Sequence, residues 1–315
     1  MESISTVSIR GIRDPFDSVV ESDMAEAILD PTFLKKLERL SIVVRRTFAG
    51  QMKGEKRSVK RGTSVEFADY REYMLGDDLR YVDWNTAARL EKLFVKLFIE
   101  EEDLYLALLI DTSASMDFGS PKKLHFAARV AASLGYIGLS NYDRVSVAAF
   151  AAHLGKPLPT KRGKAAVLPF FNYLNQMKAD GRTSFGSSLK EFAARAKYRG
   201  LAIVISDFLD PTWQDGLKSI LARGFQVALI HTLDPEELNP TILGDLRIID
   251  SETGDWKEMS VNPALLKRYQ DRLNQFCEEV ETFANRYGMD YIKTSTGVPF
   301  EDVVLKYLRQ GGLIK

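Results

Sequence analysis

From residue 93 onward the chain alternates short apolar runs with longer segments of helical periodicity, and no other pattern in the sequence limits the possible folds as strongly. The apolar runs are Leu104 to Ile110, Val145 to Phe150, Leu201 to Ser206, Gln226 to His231 and Tyr291 to Lys293. The helical segments are 122–139, 164–176, 187–197, 213–222 and 263–287. Runs that are apolar on both faces, separated by amphipathic helices, are typical of a parallel sheet covered on both sides. We therefore predict an α/β fold with a doubly wound, mostly parallel, Rossmann-like sheet.

Composition narrows the class of protein further. The 43 Lys and Arg residues balance 43 Asp and Glu residues, so no overall field attracts the chain to nucleic acid or anionic lipid. A single cysteine, Cys277, excludes an internal disulfide and a cysteine-based zinc cluster, and it indicates a reducing compartment. No apolar run approaches the length of a membrane span, and the first thirty residues do not resemble a signal peptide. We expect a cytoplasmic protein with no membrane segment and no nucleic-acid partner.

The chain divides into three predicted regions. Residues 1–30 are acidic and aperiodic, which predicts a flexible N-terminus. Residues 31–92 predict a smaller α+β subdomain that begins with a helix at Pro31. Residues 93–315 predict the sheet domain, with a late β-hairpin over Arg247 to Val261 that turns at Thr253-Gly254-Asp255.

Oxygen-bearing side chains follow the predicted strands at the edge of the sheet where parallel strands end. Asp111, Ser113 and Ser115 follow the first strand, Asp207 follows the third, and Thr183 precedes a helix. Ligands of open parallel sheets bind beyond the carboxyl ends of the strands. Carboxylate and hydroxyl oxygens suit Mg²⁺ or Mn²⁺ better than zinc. The alternative is that these residues only cap the helices that follow them.

The pattern Asp111-x-Ser113-x-Ser115, with a later Thr183 and a strand-end Asp207, resembles the metal-ion-dependent adhesion site of von Willebrand factor A domains. The resemblance implies that the two Ser and the Thr hydroxyls contact a Mg²⁺ or Mn²⁺ ion. It implies that the two Asp residues often act through water. It also implies that an Asp or Glu of a partner protein fills the free coordination position.

A second resemblance lies upstream, in the passage Glu66-Phe67, Arg71-Glu72-Tyr73, Gly76-Asp77-Asp78, Arg80, Asp83-Trp84 and Ala88-Arg89. This passage is similar to the signature of the bacterial family catalogued as domain of unknown function 58. Members of that family are often encoded beside MoxR-type AAA+ ATPases, so the resemblance implies such an ATPase as partner.

The passage has two interpretations. Its mixture of charges and rings suits a partner-binding surface, and it suits equally a clamp that holds the subdomain to the sheet domain. The candidate partner-binding residues are Arg71, Tyr73, Asp77, Arg80, Asp83 and Trp84.

The expected function is metal-dependent protein recognition by an adaptor or co-chaperone, with no catalytic activity. The alternative is a metal-assisted hydrolase of phosphate esters, for which the sequence offers no convincing general base. Position 113 is Ser, so the second carboxylate of an aspartyl-phosphate enzyme is missing. A Ser-His-Asp hydrolase is also disfavoured, because the sequence has no Gly-x-Ser-x-Gly motif to supply a nucleophile for His231. A third possibility, nucleic-acid binding by the basic stretch 53–61, predicts steeply salt-dependent binding.

Overall fold

The computed structural model describes residues 28–42, 65–90, 92–100, 104–249, 256–307 and 314. The chain forms two compact units. The small unit comprises Ala49–Asp103, and the sheet unit comprises Met1–Phe48 together with Leu104–Lys315. Most of the predicted flexible N-terminus and the whole basic stretch 53–61 lie outside the described residues.

The boundaries between units differ from the predicted 31–92 and 93–315. Helix α1 (Pro31–Leu37) belongs to the sheet unit, because its buried Phe33 and Leu37 join the core of that unit. In the small unit, β1 (Val65–Glu72) pairs antiparallel with β2 (Phe94–Glu100), and α2 (Trp84–Leu90) lies between them in sequence. The apolar run after residue 93 thus completes the small unit, since its hydrogen-bonding partner is β1.

The sheet unit contains a six-stranded sheet whose members are β3 (Tyr105–Asp111), β4 (Arg144–Phe150), β5 (Leu158–Lys161), β6 (Leu201–Ser206), β7 (Gln226–Leu233) and β10 (Asp290–Ser295). Its strand order is β10-β7-β6-β3-β4-β5. Every neighbouring pair is parallel except β4 and β5. The order reverses at β3, which lies between β4 and β6, and this reversal confirms the predicted doubly wound topology.

Two strands form a separate hairpin, β8 (Gly244–Ile249) and β9 (Trp256–Val261). Its predicted turn at 253–255 lies outside the described residues. The helices of the sheet unit after α1 are α3 (Lys123–Ser140), α4 (Val167–Asn175), α5 (Phe185–Arg195), α6 (Trp213–Ala222), α7 (Pro235–Leu238), α8 (Pro263–Arg286) and α9 (Phe300–Asp302). Among the described residues, none of the helices combines the length and apolarity that a bilayer span requires.

The two faces of the sheet bury separate apolar layers. Alternate residues of β3 show the division: Leu106, Leu108 and Ile110 pack with α1, α3 and α4, while Ala107 and Leu109 pack with α5, α6 and α8. A strand that is buried along its whole length, as β3 is, needs helices on both sides. This sandwich fixes the carboxyl ends of β3 and β6 next to each other.

Candidate metal site

The two predicted carboxylates lie at the ends of adjacent parallel strands. Asp111 is the last residue of β3, and Asp207 follows directly after β6. Residue Ile110 pairs with Ile205, so the two strands end at the same level. Both side chains are buried, with exposed fractions of 1% and 2%. The point where the strand order reverses therefore holds two buried acidic groups.

Hydrogen bonds fix the orientation of Asp111. Its Oδ1 atom accepts from the backbone N–H of Ser113 at 2.9 Å, the short-range bond that Asp makes when it starts a turn. Its Oδ2 atom accepts from the hydroxyl of Ser206 at 2.6 Å. Ser206 is the final residue of β6, and it was not among the predicted site residues. One oxygen of Asp111 is thus held by the loop that follows it, and the other by the end of the neighbouring strand β6.

The hydroxyls of the loop after β3 lie together. The Oγ atoms of Ser113 and Ser115 are 3.0 Å apart. Ser115 also hydrogen-bonds the carboxylate of Asp207, which links the loop after β3 to the end of β6. Ser113 is fully buried and Ser115 half-buried. The structure therefore brings four of the five predicted metal-site residues into one hydrogen-bonded group.

The fifth predicted residue, Thr183, lies in a loop that is hydrogen-bonded to the loop after β3. The N–H of Asp180 donates to the carbonyl of Thr112 at 2.9 Å, and the N–H of Ala114 donates to the carbonyl of Gly181 at 3.0 Å. Gly181 has a φ of +77°, a conformation that favours glycine. These bonds hold the segment that carries the half-buried Thr183 against the Asp111 to Ser115 loop.

A lysine that the sequence analysis missed lies inside this group. Lys123, the first residue of α3, has a fully buried side chain. Its Nζ atom donates to Asp207 Oδ2 at 2.8 Å and to Glu237 Oε1 at 2.6 Å. A sequence signal for it does exist, because the dipole of a helix disfavours a cation in the first turn. A lysine placed there needs compensation by carboxylates.

Glu237 belongs to α7, the short helix after β7. Its Oε2 atom accepts from the N–H of Asp234, and Asp234 Oδ1 accepts in turn from the N–H of Glu236. Asp234 Oδ2 accepts from the hydroxyl of Thr296 at 2.6 Å. The carboxylate of Glu237 is therefore held both by the cap of its own helix and by Lys123. We call Asp111, Asp207, Lys123 and Glu237 the strand-end cluster.

The pKa values of the cluster reflect burial and an excess of negative charge. Burial, and then the nearby charge of Asp207, raise the pKa of Asp111 to about 7. Burial acts in the same direction on Asp207, but the ammonium of Lys123, together with hydrogen bonds from Ser115 and Leu209, outweighs it and holds the pKa of that carboxyl below its ordinary value. Burial alone would lower the pKa of Lys123, whereas its two carboxylate partners raise it to about 12. Lys123 therefore stays charged, whereas no cation of the described residues forms an ion pair with Asp111.

His231 lies on β7, paired in register with Ser206, the last residue of β6. It is fully buried between the rings of Phe208 and Phe276, and its Nδ1 atom is 2.9 Å from the hydroxyl of Tyr291. Burial lowers the pKa of His231 to about 4. A neutral, enclosed imidazole has the structural role that the sequence favoured over catalysis.

The candidate partner-binding residues lie in the small unit, where their described bonds are to other residues of that unit. Arg71 pairs with Asp77 at 2.8 Å, and Arg80 pairs with Asp78 at 2.5 Å. Asp83 accepts from the backbone N–H of Asn85 at 3.0 Å. Tyr73 is half-buried, and Trp84 is 60% exposed. These bonds shape the small unit itself, and partner binding by this surface stays a prediction.

The donor set at the strand ends consists of oxygen atoms. Across the described ranges, no three His, Cys, Asp or Glu side chains converge as metal ligands would. A cation at this edge would therefore depend on hydroxyls in addition to Asp111 and Asp207. Hydroxyl and carboxylate oxygens together are a fit for a hard ion such as Mg²⁺ or Mn²⁺ and a poor fit for zinc.

The strand order, the antiparallel edge strand β5 and the polar strand ends define a doubly wound α/β domain of the von Willebrand factor A-like class. The chain belongs to the family described as "Protein of unknown function DUF58", whose family model matches residues 69–277. An uncharacterized protein of Mycobacterium bovis is 29% identical over 242 residues, which are 75% of this chain and 76% of that protein.

Two solved structures are similar to this chain at low sequence identity. The conserved hypothetical protein BatB from Bacteroides thetaiotaomicron matches with a TM-score of 0.41 and 15% identity, over 66% of this chain and 98% of that one. The manganese-loaded TRAP protein of Plasmodium vivax matches with a TM-score of 0.32 and 18% identity, over 41% of this chain and 57% of that one.

Proposed function

We propose that this protein is a divalent-cation-dependent protein-recognition module. In this proposal Ser113, Ser115 and Thr183 bind the ion directly, and Asp111 and Asp207 bind it directly or through water. The observation that carries the proposal is the convergence of four of these side chains at the sheet's switch point, with the Thr183 loop bonded to them. Open α/β sheets bind their ligands at this place.

The charge of the site supports a cation. The pKa of Asp111 is raised to about 7 because burial and the charge of Asp207 both disfavour its ionised form. A divalent ion beside these carboxylates would relieve that repulsion. When bound, Mg²⁺ or Mn²⁺ supplies an open coordination position for an outside carboxylate oxygen, which we propose comes from an Asp or Glu of the partner.

The protein's own residues prepare the site for such a ligand. The hydroxyl of Ser206 and the N–H of Ser113 hold the Asp111 carboxylate in one orientation. Lys123 holds one oxygen of Asp207. Because these groups are fixed by strand ends and by hydrogen bonds between loops, little ordering remains to be done when the ion arrives.

We propose binding rather than catalysis. A hydrolase that used the same ion would need a general base beside it. Two candidates on neighbouring strand ends are engaged elsewhere: His231 is fully buried next to Tyr291, and Glu237 is bonded to Lys123 and to the N–H of Asp234. The hydrolase therefore remains the weaker alternative.

We further propose that the partner is a MoxR-type AAA+ ATPase, with this protein as its adaptor or co-chaperone. The support is the resemblance of the passage 66–89 to the family signature, together with the family match over residues 69–277. The chemistry of the site specifies only that the partner presents an Asp or Glu.

The test compares the wild-type protein with Ser113→Ala, which removes a proposed ligand without leaving an unpaired buried charge. Calorimetric titration with Mn²⁺ should show a loss of affinity of about tenfold or more in this variant. Immobilised wild-type protein should capture a purified MoxR-type ATPase in Mg²⁺ but not in EDTA, and Ser113→Ala should lose capture. Ser133→Ala, which alters a fully buried serine of α3 bonded to Arg129, is the matched control.

Capture that is equal in Mg²⁺ and in EDTA would contradict the recognition mechanism. Mg²⁺-dependent turnover of p-nitrophenyl phosphate that Ser113→Ala abolishes would support the hydrolase instead.

A further inference from the structure

The ammonium of Lys123 lies in contact with Asp207, one of the proposed metal ligands. Its side chain has no exposed surface, and it lies between carboxylates of Asp207 and Glu237 at 2.8 and 2.6 Å. These contacts join residues 84 and 114 positions apart in sequence. A buried charge is costly unless it is paired in this way, so such an arrangement is a specific feature of the fold.

Lys123 changes the charge that a metal ion would meet. The strand-end cluster contains three carboxylates, on Asp111, Asp207 and Glu237, and one ammonium. The ammonium cancels one negative charge in a region from which water is largely excluded. The ammonium and a divalent cation would repel each other strongly there, because neither solvent nor salt screens the repulsion well.

Lys123 also engages one carboxylate oxygen of Asp207, a proposed metal ligand. Asp207 Oδ2 accepts from Lys123 at 2.8 Å, and Asp207 Oδ1 accepts from the N–H of Leu209 at 3.3 Å. Direct coordination by Asp207 would have to replace one of these bonds. With both oxygens engaged, Asp207 is better placed to bind an ion through water.

We propose that Lys123 is a resident cation that lowers the affinity of the strand ends for a divalent ion, and that Glu237 moderates this effect by sharing the ammonium. The inference rests on the proposed function, since it concerns the affinity of that same site. Lys123 is thus a positioning residue that acts on the ion through Asp207. If the site alone binds its ion weakly, the carboxylate that the partner adds produces the largest relative increase in affinity for the ion.

The experiment measures Mn²⁺ affinity of the full chain by calorimetry in four variants. Lys123→Met removes the ammonium and should bind Mn²⁺ about tenfold or more tightly than the wild type, the equivalent of one pKa unit of interaction. Glu237→Gln leaves Lys123 with one carboxylate and should bind Mn²⁺ several-fold more weakly. The double variant restores the net charge of the cluster and should return close to wild-type affinity.

Glu236→Gln is the matched control for charge. This residue is the exposed neighbour of Glu237 on the same helix, and its backbone N–H donates to Asp234, which lies outside the strand-end cluster. It should bind Mn²⁺ within about twofold of the wild type, because an exposed carboxylate is screened by water and salt. If Glu236→Gln and Glu237→Gln weakened Mn²⁺ binding equally, the specific role of the Lys123–Glu237 ion pair would be overturned.

A second readout is the melting temperature. Without its ammonium, Lys123→Met leaves Asp207 and Asp111 with less compensation, so its melting temperature should fall in EDTA and rise more steeply with added Mn²⁺ than that of the wild type. A residue with a merely structural role would lower the melting temperature equally with and without the ion.

The outcomes separate this inference from the proposed function. Failure of the wild type and of Lys123→Met to bind Mn²⁺ contradicts the metal site itself. Wild-type binding with unchanged or weaker affinity in Lys123→Met overturns only the role of Lys123. If Lys123→Met does not fold, Glu237→Gln decides the matter, because unchanged affinity in that variant also contradicts the proposal.

Discussion

Two clusters of charged residues, one in each unit, are built in opposite ways. In the strand-end cluster the charges are buried, and the bonds of Lys123 cross 84 and 114 positions of sequence. In the small unit the paired charges are partly exposed, and Arg71–Asp77 and Arg80–Asp78 span six and two positions. A third pair of the small unit, Lys92–Glu72, spans 20 positions and is also exposed. Similar residue types thus form a buried network in one unit and partly exposed pairs in the other.

The difference has an energetic meaning. Exposed ion pairs contribute about 0–1 kcal/mol each, since water screens the attraction and the side chains lose freedom. Removing one partner of a buried pair costs about 3–5 kcal/mol, because the remaining charge is left without compensation. A fold that keeps buried charges at its ligand-binding edge is therefore far more sensitive to substitution there than at its surface pairs.

The largest expected effect is that of Asp207→Ala. Lys123 would keep only Glu237 as a partner, so the free energy of unfolding should fall by about 3 kcal/mol or more. Urea denaturation at pH 7 in EDTA, followed by circular dichroism, measures it. Asp215→Ala, an exposed carboxylate on α6, is the control and should change stability by less than about 0.5 kcal/mol. A loss below about 1 kcal/mol for Asp207→Ala would mean that the buried charges of the strand-end cluster contribute no more to stability than the exposed ion pairs of the small unit.

His231 gives the next largest effect, as a dependence of stability on pH. Burial lowers its pKa in the folded protein from 6.5 to about 4, so between these values the unfolded chain takes up a proton that the folded chain does not. Stability should therefore be complete above pH 6.5 and fall as the pH decreases toward 4, by about 3 kcal/mol in total at 1.36 kcal/mol per unit.

The variant that tests this is His231→Phe, which places a ring among Phe208, Phe276 and Tyr291. Between pH 7 and pH 4.5 its free energy of unfolding should decline less than that of the wild type. The difference between the two declines should be about 2–3 kcal/mol. Tyr291→Phe keeps the imidazole buried and should retain the wild-type slope. Parallel pH profiles for wild type and His231→Phe would contradict the assignment.

The difference between local and long-range interactions also explains which features could be predicted from the sequence. Strand β6 and helix α6 have the predicted bounds, because apolar runs and helical periodicity are local signals. Asp111, Ser113, Ser115 and Asp207 could be predicted to lie close together because strand-end positions are fixed by the parallel topology. The edge strand β5 was missed, since its four residues alternate between half-buried and exposed and form no apolar run.

Lys123 and Glu237 were missed for a different reason. Their bonds depend on where α3 and α7 begin relative to the end of β6, which is a property of tertiary packing. The unit boundary was wrong at residue 93 for the same reason, because strand pairing of β2 with β1 is not visible in either segment alone. Local patterns thus predicted the helices, the strands and the strand-end residues. The partners of Lys123 and the unit boundary depend on tertiary packing.

A smaller effect is expected in the small unit for Asp83→Ala. Asp83 accepts from the N–H groups of Asn85 and Thr86 at the start of α2 and from the hydroxyl of Tyr70. Loss of such a cap costs about 1–2 kcal/mol. Hydrogen exchange of α2 amides should accelerate accordingly, whereas Asp83→Asn should keep most of the protection, because Asn caps nearly as well. Equal exchange in both variants would show that the cap is not what stabilises α2.

The smallest effect should come from Arg71→Met, which breaks the pair with Asp77 and keeps much of the side-chain volume. Because the Arg71 side chain is 36% exposed, the loss measured by hydrogen exchange of β1 and β2 amides should stay below about 1 kcal/mol and shrink as salt is added. Lys92→Met, which breaks the more exposed pair with Glu72, is the control and should behave alike. A salt-independent loss above about 2 kcal/mol for Arg71→Met would place this pair with the buried charges of the strand-end cluster and break the distinction between the two units.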